Sequence, residues 1–150
     1  MDAREYLSQL KTLKTKIRHK QEHLKKIDML SIGGGANDGE RVQTSKSLSA
    51  PYENMAIQIA DLRRDIARLE TNYHILWEEI ENTIYEIEKT KQLKKVREKW
   101  LYIEVMRRKW VTGNSLEEIS VDVYKSFDYV RHIYWNGMKA VQEVLDERDK

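Results

Sequence analysis

Apolar residues in the first part of the chain recur at Tyr6, Leu10, Leu13, Ile17, Leu24 and Ile27, with Lys20 filling one polar slot. A second series runs Met55, Ile59, Leu62, Ile66, Leu69, Tyr73, Leu76, Ile80, Thr83 and Ile87, stepping by four and three without a break. A repeat of about 3.5 residues keeps one apolar seam facing a partner helix, and no strand, with its period of two, produces it. The pattern predicts an all-α chain whose residues 1–90 form a long antiparallel helical hairpin, a coiled coil. Folded back in this way, Ile27 lies near Met55 and Tyr6 near Leu76. The second helix then outruns the first by about three turns and leaves Ile80, Ile84 and Ile87 uncovered. Those side chains must bury against the rest of the chain or against a second copy, so the overhang motivates a homodimer through the coiled coil.

Between the two series lies SIGGGANDGERVQTSKSLSA, residues 31–50, rich in Gly and Ser and poor in apolar side chains. It reads as a flexible linker with Gly33 to Gly35 as a hinge. No Gly-Lys-Ser/Thr follows those glycines, which argues against a phosphate-cradling loop. Pro51 is placed to open the second helix at its first turn, where a missing N–H costs nothing.

From Lys91 the character changes. Leu93, Val96, Trp100, Ile103 and Trp110 fall at helical spacing, with basic residues on the other faces, and Gly113-Asn114 provides a C-terminal stop. Ser115 with Glu118 three residues later forms a capping box for a short helix. After a turn at Tyr124-Lys125, Ser126 caps a longer helix with apolar positions Val130, Ile133, Gly137 or Met138, Val141 and Leu145. A helix, a short helix, a tight turn and a longer final helix is the order of a helix-turn-helix, here assigned to 91–150.

Charge sharpens this division. Eight Lys/Arg against two Asp/Glu give residues 91–111 a net +6; eight against four give 1–30 a net +4; four against nine give 51–90 a net −5. Such blocks matter to a polyanionic partner, because steering follows the local field. The chain has no cysteine, which excludes disulfides and thiolate metal sites and fits a cytoplasmic location. Neither a signal-peptide core nor an apolar run of about 20 residues is present, so no membrane partner is expected.

The stretch Ser115 to Val141 resembles region four of sigma factors, aligning without a gap. Ser115, Leu116, Glu117, Glu118 and Ile119 match its opening, Ser126 its Ser/Thr, and Val130, Arg131 and Ile133 its later positions. The whole chain is similar to small phage and prophage proteins of Gram-positive bacteria, transcriptional regulators of the ArpU or RinA type. Ala3, Glu5, Tyr6 and Leu7, then Arg41 to Ser45, then Asp61, Leu62 and Ile66 carry that likeness. The resemblance implies binding of double-stranded DNA, with RNA polymerase as a further partner. Four positions depart from the sigma pattern. Tyr124 replaces the turn glycine, at a cost if its φ is positive, Lys125 stands at a usually apolar position, and Phe127 and Tyr129 replace arginines.

Several side chains are candidate DNA contacts. Arg131 heads them, because a guanidinium suits both guanine and phosphate. Lys125, Ser126, Phe127, Asp128 and His132 lie at the same end of the final helix, where recognition helices meet base edges. Lys95, Lys99, Arg107 and Arg108 are candidate phosphate clamps, with a solvated helix face as the alternative. Trp100, Trp110 and Trp135 read as core and Trp77 as partly exposed. His19 and His23, spaced by four, lack a third metal ligand and read as solvated. No cofactor motif and no catalytic constellation is present, so an enzyme is not expected. The alternative to a DNA-binding regulator is a coiled-coil adaptor without DNA-binding activity.

Overall fold

The computed structural model describes residues 1–37 and 45–150, and among these every regular element is helical. Helix α1 spans Ala3–Asn37 and α2 spans Ser45–Glu86. Helix α3 covers Lys99–Arg107 and continues as a π turn over Arg108–Thr112; α4 covers Leu116–Asp122 and α5 Phe127–Arg148. No described helix is long and apolar enough to cross a membrane.

The helices extend into the expected linker 31–50 from both sides, and residues 38–44 lie outside the described residues. The hinge glycines 33–35 fall in the last turns of α1, where each costs about 1 kcal/mol relative to alanine. Helix α2 begins at Ser45, ahead of Pro51, rather than at the proline, so one backbone donor is missing inside its second turn.

Two compact units divide the chain, Met1–Thr12 with Tyr73–Lys150 and Leu13–Asn72, rather than a boundary at residue 90. In the larger unit a single core takes Ala3, Tyr6, Leu7 and Leu10 from α1 and Ile80, Ile84 and Ile87 from α2. It joins them to the buried faces of α3, α4 and α5. The expected overhang is therefore closed within the chain: Ile80, Ile84 and Ile87 are fully buried. Register explains part of it. The Tyr6 hydroxyl lies 3.1 Å from the Glu79 carboxylate and 3.0 Å from the Thr83 hydroxyl, one to two turns beyond the expected Leu76. Burial pushes the Tyr6 phenol above its ordinary pKa.

In the smaller unit, Lys20 pairs with Asp65 at 3.3 Å and Gln21 donates to Glu70 at 3.4 Å. Its seam is only partly closed. Ile27, Leu62 and Ile66 are buried, while Leu13, Ile17, Leu24, Met55, Ile59 and Leu69 remain half-exposed.

The single helix expected from Lys91 to Gly113 is broken. Two 3₁₀ turns, Ile87–Lys89 and Lys91–Leu93, flank an extended Thr90. The Thr90 hydroxyl donates to the Ile87 carbonyl at 2.6 Å. The Glu143 carboxylate of α5 accepts the Lys91 N–H at 2.9 Å and the Gln92 N–H at 3.1 Å. A distant side chain thus satisfies the donors that a new helical turn leaves open. The break resets the phase of the downstream helix, so Trp100 lies 64% exposed instead of in the core.

Candidate nucleic-acid interface

The geometry from α3 to α5 is set by local chemistry. Gly113 adopts φ +88° and stops the π turn, and the Asn114 N–H donates to the Arg108 carbonyl at 2.8 Å. Ser115 Oγ accepts the Glu118 N–H at 3.2 Å and donates to the Glu118 carboxylate at the same distance, which opens α4. Between α4 and α5 the Lys125 N–H reaches the Ser120 carbonyl at 3.1 Å. Ser126 Oγ then accepts the Tyr129 N–H at 3.2 Å and caps α5. Each of these stops and caps falls where the sequence places it.

The turn carries backbone strain. Tyr124 sits at φ +58°, the left-handed conformation that favours glycine, and its side chain is 93% exposed. Nothing in its side-chain packing offsets that cost.

Just beyond the turn, Lys125, Ser126, Phe127, Asp128, Arg131 and His132 are all exposed, on the turn and the first two turns of α5. The opposite side of α5, from Val130 and Ile133 through Gly137 and Val141 to Leu145, is core. Gly137 permits the close crossing with α3, since a Cβ there would stand 2.6 Å from Met106 Sδ. Lys125 Nζ lies 5.8 Å from the Tyr129 ring centroid, and His132 Nε2 is 3.0 Å from Asn136 Nδ2. The residues expected at the reading end are therefore brought together.

The four candidate clamps are divided. Lys95 is exposed on the segment leading into α3, and Lys99, half-exposed, is the first residue of that helix. That segment is tied to the middle of α5 where Gln92 donates to Asn136 at 3.5 Å. Arg107 and Arg108 have other work. Arg107 Nε donates to Glu81 at 2.8 Å, and this hydrogen bond holds its guanidinium above its ordinary pKa. Arg108 bonds Glu104 at 2.7 Å and Asp122 at 2.9 Å, tying the π turn to α4. Both arginines act as internal braces, engaged by Glu81 and Asp122 on neighbouring helices and, for Arg108, by Glu104 one turn earlier.

Of the other two tryptophans expected in the core, one packs against it and one does not. Trp110 is half-buried and stacks on Tyr134 with centroids 6.4 Å apart, but Trp135 is 57% exposed. The α5 core row occupies the other side of the helix, which puts Trp135 outward. The helical phase of Val130, Gly137 and Val141 already contained that answer.

An open cleft of about 400 Å³ lies where the helix breaks, lined among others by Glu86, Thr90, Glu143 and Arg148. Of its three carboxylates, Glu86 is held by Arg148 at 3.1 Å and Glu143 by backbone donors, while Glu147 stands 3.7 Å from Lys150 at the exposed rim. His19 and His23 are both exposed. No family model, no curated protein and no solved structure matches this chain.

Proposed function

We propose that the chain is a cytoplasmic transcriptional regulator and not an enzyme, binding double-stranded DNA through α4, the turn at Tyr124 and α5, read together as a sigma-like helix-turn-helix. The observation that carries this reading is the exposed end of α5. Six polar or aromatic side chains, Lys125 to Asp128 with Arg131 and His132, project there from a helix whose other face is locked into the core. A recognition helix needs this division: one face fixes its orientation and the other meets base edges. In the same reading α1 and α2 form the hairpin. RNA polymerase is carried as a second partner on the resemblance of Ser115–Val141.

Fluorescence anisotropy of duplex fragments from upstream of the gene's own operon, with a scrambled control, tests the reading. Affinity is expected to fall steeply between two salt concentrations and to favour the operon fragment. Arg131→Ala is expected to lose about 1–3 kcal/mol of that preference. Absence of binding at low salt rejects this reading in favour of an adaptor without DNA activity. That rival draws its support from Arg107 and Arg108, which are consumed internally.

The half-exposed seam of Leu13–Asn72 supports self-association as the role of the hairpin. It takes the place of the closed overhang as the motive for a dimer. Light scattering at micromolar protein is expected to return the mass of a dimer, and a monomeric mass rejects this part of the reading.

A further inference from the structure

Asp128, His132, Trp135 and Lys139 follow one another along α5 at steps of four, three and four, opposite the buried row of Val130, Gly137 and Val141. A solvated helix face needs no tryptophan there, yet Trp135 sits at its centre. The indole is also held in place. It meets the buried Tyr134 edge-on at 5.4 Å, and Tyr134 stacks on the half-buried Trp110, so one side of the indole rests on an aromatic pair packed into the core. An aromatic fixed in this way loses little conformational freedom on binding.

Its neighbours define the partner. Arg131 and Lys139 stand one turn before and one turn after it, both exposed and neither in an ion pair among the described residues. They favour a polyanion. Asp128, on the same stripe, disfavours a phosphate directly beneath it and can accept from the cytosine N4 amine. The combination fits a polyanion met at its base edges, with its phosphates to either side. In the major groove the one apolar group on those edges is the C5-methyl of thymine.

We infer that Trp135 is a specificity-determining residue that packs its indole against a thymine methyl in the major groove. This rests on the DNA-binding reading above and adds to it a base preference that Arg131 does not provide. Phe127 lies on the flank of α5 rather than on the outward stripe, which makes Trp135 the better placed aromatic.

The test uses the full chain and duplexes selected by it from a random pool. Each thymine of the selected site is replaced in turn by deoxyuridine, which removes the methyl and leaves base pairing unchanged. The wild-type protein is expected to bind at least one such duplex about fourfold more weakly, the worth of one buried methyl. Trp135→Ala, an exposed position whose change leaves the helical circular dichroism intact, is expected to bind both duplexes equally. Wild-type indifference to every replacement overturns the inference while leaving DNA binding standing. Discrimination that survives in Trp135→Ala also overturns it and assigns the methyl to another side chain. Failure to select any duplex rejects the DNA-binding reading itself, and this inference with it.

Discussion

Tyr124 and Gly113 occupy the same left-handed region of backbone space with opposite fitness for it. Gly113 has nothing within 4 Å of where a Cβ would stand, so Gly113→Ala meets no clash and suffers only from φ +88°. That substitution is expected to destabilise by about 1 kcal/mol. At Tyr124 the residue already carries the strain. Tyr124→Gly relieves about 1–2 kcal/mol of conformational cost and gives back about 0.4–1 to the freer unfolded chain, a net gain of roughly 0.5–1 kcal/mol. Urea denaturation of the two variants checks both signs. A loss of stability in Tyr124→Gly would mean that the exposed phenol is held by contacts the fold does not reveal. Functional sites tend to retain strain of this kind, so the stabilised variant is also the one to test for altered affinity in the proposed binding of DNA.

At the scale of elements, legibility followed the range of the interactions involved. Ser115 and Ser126 as caps, Gly113 as a stop and the apolar row of α5 are local patterns, and they stand as expected, whereas the heptad seam of Leu13–Asn72 is closed only in part. The features hidden from the sequence depend on distant partners. The break at Thr90 relies on Glu143, more than fifty residues away, and neither residue advertises the bond. The same break moved Trp100 out of the core, because the expected spacing assumed one continuous helix from Lys91. Arg107 looked available because Glu81 is remote in sequence; for Arg108 only the bond to Asp122 was hidden, since Glu104 lies one turn earlier in the same helix. Glu143→Ala is expected to leave two helical donors without their acceptor and to lower stability by about 1–2 kcal/mol. Backbone hydrogen exchange is expected to rise first at Lys91 and Gln92. Unchanged exchange there would show that the 3₁₀ turn closes without the carboxylate.

Across the larger unit, one core binds the first turns of α1 and the end of α2 to α3, α4 and α5, so the N-terminal residues Ala3, Tyr6 and Leu7 belong to the unit that carries α5. A fragment beginning at residue 91 would lack them, and would lack Ile80, Ile84 and Ile87 as well. Docking of duplex DNA on the exposed end of α5 therefore has to be tested on the full chain. The direct way is to follow its backbone amide resonances while a selected duplex is added at low salt. The largest shifts are expected to cluster at Lys125–His132 and to extend to Trp135, with little change at Arg107 and Arg108. Shifts confined to the seam residues of Leu13–Asn72, or none at all, would contradict docking at α5.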